Sequence, residues 1–174
     1  MKIIALLRGI NVGGKHKVEM KNLVQLFEEI GFTNVKTYIN SGNVIFDSKL
    51  SIVEICDIVE AKLRLAYDFE IPILVITQDE LKKNVNSIPE QWLNSDIEKT
   101  DVAFLFPEVD NENIIDNLPF NLEFIDVRYK KGVMFYNVTR ENQKQSNLDK
   151  VILHKLFRKM TVRNINTVRY LANC

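Results

Sequence analysis

The sequence predicts an α+β protein made of two tandem α/β-plait (ferredoxin-like) subdomains, the second degenerate and ending in helices. The first 78 residues alternate short apolar runs with amphipathic stretches in the order βαββαβ, which is the split βαβ plan. Residues 79–174 repeat part of that order, as βαββα followed by a final helix. The 174-residue chain is 46% hydrophobic and 26% charged, which is ordinary for a globular protein with one domain or two small ones. We therefore expect subdomains at 1–78 and 79–174.

The elements of the first subdomain follow from apolar spacing and turn residues. The run KIIALLR at 2–8 predicts a buried strand, and the glycine-rich stretch after it predicts a loop. A first helix is predicted to end at the C-cap Gly31, and a second helix to begin at the N-cap Ser51. The runs VKTYI and NVIFDS predict strands joined by a hairpin turn at 40–42, and Pro72 opens the last strand, ILVIT.

The second subdomain has weaker signals. DVAFLF predicts a strand, and Asp110 is a candidate cap for a helix running to about Asn117. NLEFIDVRY and VMFYNV predict a second hairpin around the turn at 130–132. A helix is expected from about Ser146, and a last short helix presents Ile165, Val168 and Ala172 on one face.

The loop at 9–16, GINVGGKH, fits the phosphate-loop pattern GxxxxGK[ST] at every position except the last. That last position must supply a hydroxyl to magnesium, and His16 has none. The helical periodicity also begins several residues after Lys15, so a nucleotide hydrolase is disfavoured. Two interpretations remain. The glycines present backbone N–H groups to an anion, with Lys15 and Lys17 adding charge, or they only allow positive φ angles.

A second polar block, Asn-Ser-Gly-Asn at 40–43, lies between two predicted strands. The first and third strands of a split βαβ sheet are antiparallel neighbours. Arg8 and Asn11 should therefore lie near Ser41 and Asn43, which favours a shared ligand site at that end of the sheet. The alternative is that this block only meets the needs of a tight turn.

The segment TVRNINT at 161–167 is predicted to join two helices. Asn164 or Asn166 can cap the last helix. Capping does not need Arg163, whose guanidinium suits a carboxylate or a phosphate. Arg163 is therefore predicted either to close the ligand site or to pair with an acid of the middle segment.

Three blocks, LLRGINVGGKHKVEM, GFTNVKTYINSGNVIF and TVRNINTV, resemble in that order the bacterial family called domain of unknown function 1697. The resemblance spans essentially the whole chain, implies two α/β-plait subdomains and brings no established activity. By position, the family's polar blocks imply the site residues Arg8, Gly9, Asn11, Gly13, Gly14, Lys15, Ser41, Gly42, Asn43, Arg163, Asn164 and Thr167. The chain departs from the family in having Asn147 where a lysine is usual and Ile165 where a tryptophan is usual. These departures argue against an anion contact at Asn147 and against a stacking role at Ile165.

The formal net charge of zero is unevenly distributed along the chain. Residues 1–40 carry six Lys and Arg against three acids, residues 41–127 carry six against eighteen, and residues 128–174 carry eleven against two. The net charges of these segments are therefore +3, −12 and +9. Either the two basic ends form a basic surface, or the acidic middle neutralises them within the fold.

Several classes of site are disfavoured. His16 and His154 lack metal-ligand spacing, no catalytic triad emerges, and we expect neither a metal nor a cofactor. Cys56 and Cys174 are predicted to be reduced thiols, which favours a cytoplasmic location. No apolar run approaches the ~20 residues of a membrane helix, so no membrane partner is expected.

Three hypotheses of function follow, and the sequence leaves open whether the protein is an enzyme and what its oligomeric state is. The first is a small anionic, phosphate-bearing ligand held where the polar blocks converge. The second is nucleic-acid binding, which is not favoured, and the third is a protein-interaction module without catalysis. The predicted ligand-binding residues are Arg8, Asn11, Gly13, Gly14, Lys15, Lys17, Ser41, Asn43, Arg163, Asn164 and Thr167.

Overall fold

The computed structural model describes residues 1–174 and has an α+β fold. The chain forms two compact units, Met1–Glu80 (unit 1) and Leu81–Cys174 (unit 2). Each unit contains one four-stranded antiparallel sheet and an apolar core of its own.

Unit 1 contains six of the predicted elements in the predicted order. They are β1 (Lys2–Leu7), α1 (Met20–Ile30), β2 (Thr33–Tyr38), β3 (Asn43–Asp47), α2 (Ile52–Ala66) and β4 (Ile73–Thr77). The strands are arranged in the order β2-β3-β1-β4. A further helix, α3 (Gln78–Val85), follows β4 and contains the boundary between the units.

Local signals account for the ends of both large helices. Gly31 follows α1 with a φ of 102°, and its N–H bonds back to the carbonyl of Glu28, which ends the helix as predicted. Ser51 caps α2 by accepting from the N–H of Glu54 at 3.3 Å, and the Glu54 carboxylate accepts from the N–H of Ser51 at 2.8 Å. This reciprocal capping box satisfies two N–H groups that the helix itself leaves unbonded.

The register of the first sheet brings the end of β1 beside the start of β3. Leu6 lies opposite Asn43, and on the other side of β1 Leu7 lies opposite Ile73. Alternate residues of β1, Ile3, Ala5 and Leu7, belong to the core cluster that also contains residues of α1 and α2. The two polar blocks therefore meet at one end of this sheet, as the antiparallel pairing predicted.

Unit 2 continues with β5 (Glu98–Leu105), β6 (Asp126–Lys130), β7 (Val133–Thr139), α4 (Leu148–Leu153), β8 (Met160–Asn164) and α5 (Ile165–Asn173). Short 3₁₀ turns lie at Pro107–Val109 and Lys155–Lys159. The strand order is β6-β7-β5-β8.

The strand β8 corrects the prediction that a helix replaces the last strand of a degenerate second subdomain. It pairs antiparallel to β5, with Val162 opposite Ala103 and Asn164 opposite Asp101. Met160 and Val162 pack against the core of unit 2. Thr161 and Arg163, which alternate with them along the strand, are buried too. Because polar residues occupy one buried face, the apolar alternation that normally reveals a strand is hidden.

The prediction of a helix from Asp110 to Asn117 was also wrong, because this segment forms successive turns. The Asp110 carboxylate accepts from the hydroxyl of Tyr129 at 2.9 Å and from the N–H of Gly132 at 2.8 Å. It therefore fastens the turn between β6 and β7 instead of capping a helix. The helix expected from Ser146 begins at Leu148 and ends at Leu153.

Candidate functional site

The glycine-rich loop of unit 1 is a small hairpin. Val12 and Lys15 form a β-bridge, and the N–H of Lys15 donates to the carbonyl of Val12 at 3.0 Å. Gly13 and Gly14 between them have φ values of 58° and 73°. Two consecutive positive φ angles are what a type I′ hairpin turn requires. The loop therefore differs from a phosphate loop, in which a helix begins at the lysine, because α1 begins only at Met20.

Asn11 fastens this hairpin to the rest of unit 1. Its side-chain NH₂ donates to the carbonyl of Val18 at 3.0 Å and to that of Asn40 at 2.9 Å. Its side-chain oxygen accepts from the N–H of Val18 at 2.8 Å. Both amide donors are thus used internally, so Asn11 positions the two polar blocks against each other.

His16 forms a second attachment of the hairpin. Its Nδ1 lies 3.1 Å from the carbonyl oxygen of Gly9, which is within hydrogen-bond distance. The ring stacks on Phe69 with 4.4 Å between centroids and 14° between planes. This contact holds the base of the hairpin against the segment that precedes β4.

The Asn-Ser-Gly-Asn block forms the turn between β2 and β3. The side chain of Asn43 is fully buried, and its NH₂ donates to the carbonyl of Tyr38 at 2.9 Å and to Oγ of Ser41 at 3.0 Å. The carbonyl of Gly42 accepts from the N–H of Leu7 at 2.8 Å, which joins the turn to β1. The amide of Asn43 therefore stabilises the turn.

The hairpin of the converged blocks carries two exposed lysines. Lys15 and Lys17 are exposed together with Gly13 and Gly14, and neither lysine forms an ion pair. Arg8 is half-buried, and its backbone N–H donates to the carbonyl of Pro72 at 2.9 Å. Two lysine ammonium groups and the backbone of a glycine turn are thus accessible here.

The predicted tail residues lie in unit 2, at β8 and the start of α5. Arg163 is only 7% exposed, and it donates to Oγ1 of Thr161 and to the carbonyl of Val162, each at 2.9 Å. Burial lowers the pKa of its guanidinium to about 10, which leaves it charged at neutral pH. Asn164 caps α5 by accepting from the N–H of Thr167 at 3.1 Å, so these two residues serve the helix start.

One polar cluster in unit 2 was missed by sequence reasoning. The hydroxyl of the buried Tyr136 donates to the carboxylate of Asp101 at 3.2 Å, and Lys99 lies 3.1 Å from the same oxygen. Burial, more than the nearby carboxylate, raises the pKa of Tyr136 well above its usual value. Lys99 and Asp101 alternate along β5 with residues of the other face. This spacing was the signal in the sequence that could have revealed the cluster.

The structure contains no group of three His, Cys, Asp or Glu arranged to hold a metal ion. No helix is both long enough and apolar enough to cross a membrane.

Comparison with known protein families gives a match over most of the chain. The family described as "Protein of unknown function (DUF1697)" matches residues 1–135, which include the hairpin and the Asn-Ser-Gly-Asn turn. The chain belongs to this family. Its match stops before β8 and α5, so Arg163, Asn164 and Thr167 lie beyond the matched residues of this DUF1697 member.

A solved structure shares the fold over nearly the whole chain. It is described as the conserved bacterial protein SP0830 from Streptococcus pneumoniae, and it is 26% identical to this DUF1697 chain with a TM-score of 0.85. The alignment covers 98% of this chain and 96% of that one. No curated protein matches the sequence.

Proposed function

We propose that this protein binds a small phosphate-bearing anion at the end of the unit 1 sheet. The observation that carries the proposal is the convergence of the two polar blocks. The 2.9 Å bond from Asn11 to the carbonyl of Asn40 holds the hairpin against the turn, with Lys15 and Lys17 exposed beside it. A fixed glycine turn flanked by lysines supplies N–H donors and positive charge, which are the groups that bind phosphate.

The residues of the proposed site have two different roles. Lys15, Lys17 and the N–H groups of Gly13 and Gly14 contact the ligand, and Arg8 borders it. Asn11, Ser41 and Asn43 hold the loops, because their side chains form hydrogen bonds with neighbouring groups of unit 1. We propose binding without assigning a reaction.

A protein-interaction module without catalysis is the second candidate. It is favoured by the internal use of polar groups that the sequence suggested as ligand contacts. Asn11 and Asn43 stabilise turns, and Asn164 caps a helix. In this alternative the hairpin at 9–17 is a rigid surface feature with no small-molecule ligand.

The deciding experiment is a thermal-shift titration of the full chain with inorganic phosphate and inorganic pyrophosphate. A ligand at a hundred times its Kd stabilises the native state by about 2.7 kcal/mol, so binding raises Tm. We expect pyrophosphate to raise Tm of the wild type, and the double variant K15Q/K17Q to lose this shift. The matched control K49Q/K62Q removes two exposed lysines elsewhere in unit 1 and should keep it.

Two results contradict the proposal. One is an unchanged Tm of the wild type with both anions, which leaves the interaction module as the better candidate. The other is an equal loss of the shift in K15Q/K17Q and in K49Q/K62Q, because the effect is then one of total charge.

We also propose that unit 1 is an α/β-plait of the ferredoxin-like kind. The order βαββαβ, together with the antiparallel strand order β2-β3-β1-β4, supports this assignment. A cytoplasmic location is supported by the two free cysteines, Cys56 and Cys174.

A further inference from the structure

The corner between α4 and the following 3₁₀ turn carries exposed apolar side chains. We call residues 150–159, KVILHKLFRK, the cationic turn. Leu153, the last residue of α4, is 82% exposed, and its neighbour Ile152 is 44% exposed. Leu156 and Phe157 are half-buried and pack against the core of unit 2. Apolar surface therefore extends from the core to a protruding leucine.

Basic side chains surround this apolar corner. Lys150, Lys155, Arg158 and Lys159 are all exposed. The 25 residues from 150 to 174 contain six Lys and Arg and no Asp or Glu. Two carboxylates lie close to the turn: Asp149 precedes it in the sequence, and Glu108 lies 3.8 Å from Nζ of Lys159. The surface is therefore positive after these two acids are counted.

The corner is held in a defined conformation. Nδ1 of His154 accepts from the N–H of Leu156 at 3.2 Å, which caps the 3₁₀ turn directly after Leu153. The exposed leucine is thus presented on an ordered corner, next to the lysine and arginine side chains of the same turn.

We propose that the cationic turn docks this protein on the surface of an anionic phospholipid bilayer, with Leu153 and Ile152 entering the headgroup region. Interfacial membrane segments combine aliphatic side chains with lysine and arginine in this way. The phosphates of anionic lipids attract the basic side chains, and the acyl boundary takes up the aliphatic ones. Such docking is peripheral, so it needs no helix long enough to span the membrane.

Other occupants fit the surface less well. Nucleic acid has no apolar layer for exposed leucine and isoleucine, because its bases stack on aromatic rings. A protein partner of standard size contacts about 20–30 residues on each side, which is more than a ten-residue turn offers.

The test is co-sedimentation of the full chain with phosphatidylcholine vesicles that contain or lack phosphatidylglycerol. The wild type should sediment only with the anionic vesicles, and added salt should weaken the binding. The substitution L153S should lower the partition coefficient roughly tenfold by removing the inserted side chain. The double variant K155Q/R158Q should lower it at least tenfold, as expected for two basic groups near an anionic surface.

Two matched controls lie in unit 1. L65S changes an equally exposed leucine, since Leu65 is 86% exposed, and K49Q/K62Q removes two exposed lysines. Both should bind vesicles as the wild type does. The proposal is overturned by a wild type that stays in the supernatant at low salt. It is equally overturned if L153S binds as the wild type does, because the surface is then a general polyanion site.

Discussion

At the scale of single residues, Asn11 shows how a predicted ligand contact becomes a positioning group. Its amide bonds to Val18, which follows the hairpin in the sequence, and to Asn40 in the turn between β2 and β3. A residue with a φ of 53° is also uncommon outside glycine, and asparagine tolerates that conformation better than most. The presence of asparagine at position 11, which suggested ligand binding, is therefore explained by backbone conformation and by internal hydrogen bonds.

Alanine substitutions at Gly42 and Gly132 separate the effect of backbone conformation on stability from the effect of side-chain crowding. A Cβ added there would lie 2.7 Å from Cβ of Leu7 and 2.8 Å from Cδ1 of Ile10, and the φ of Gly42 is 80°. Gly132 has a similar φ of 85°, but a Cβ there would meet nothing within 4 Å. We expect G132A to lower the free energy of unfolding by about 1 kcal/mol through its strained φ. We expect G42A to lower it by roughly 2–4 kcal/mol, because overpacking adds to the same strain.

Urea denaturation of both variants measures this difference. Equal losses of unfolding free energy in G42A and G132A would mean that Leu7 and Ile10 move away at little cost. The close approach of the turn to β1 would then not be what requires glycine at position 42.

At the scale of elements, β8 and α5 form a continuous strand-to-helix unit. The side chain of Asn164, the last residue of β8, caps α5, which buries Ile165, Val168 and Leu171. Sequence reasoning found the helix and two candidate caps, Asn164 and Asn166, but it missed the strand. The strand was hidden because Thr161 and Arg163 are buried polar residues, which periodicity counts as exposed.

The two asparagines give a direct test of the cap. N164A removes the acceptor of the N–H of Thr167 and should lower the free energy of unfolding by about 1 kcal/mol. N166A changes an exposed residue inside the helix and should be neutral or slightly stabilising, because alanine has the higher helix propensity. Chemical denaturation measures both, and the assignment of the cap is wrong if N166A is the more damaging change.

At the scale of the whole molecule, the uneven charge along the chain is largely balanced within each unit. Unit 1 carries nine Lys and Arg against eleven acids, a net charge of −2. Unit 2 carries fourteen against twelve, a net charge of +2, because the basic C-terminal segment shares this unit with acids from the middle of the chain. This balance favours the interpretation in which acidic and basic segments neutralise each other within the fold. It argues against a large basic surface formed by the two ends of the chain.

Weak nucleic-acid binding follows from this charge balance. We expect the full chain to bind single-stranded RNA no more tightly than about 100 μM at roughly 0.15 M salt, which is the weak end of non-specific binding. The slope of log K against log salt should be shallow, since few phosphates are neutralised. Fluorescence anisotropy with a labelled oligonucleotide measures both quantities. Tight binding with a steep slope would restore nucleic-acid binding as the leading function.

The sequence by itself determined the order of elements in unit 1, the helix ends at Gly31 and Ser51, and the meeting of the two polar blocks. These features depend on apolar spacing, on capping groups within three or four residues, and on a strand order that follows from the element order. Only the tertiary structure decided that Met160–Asn164 is a strand, that Asp110 fastens the hairpin between β6 and β7, and that Asn11 and Asn43 are internally bonded. The physical reason is that these roles depend on partners distant along the chain. Such partners decide whether a polar side chain is buried and bonded or remains available to a ligand.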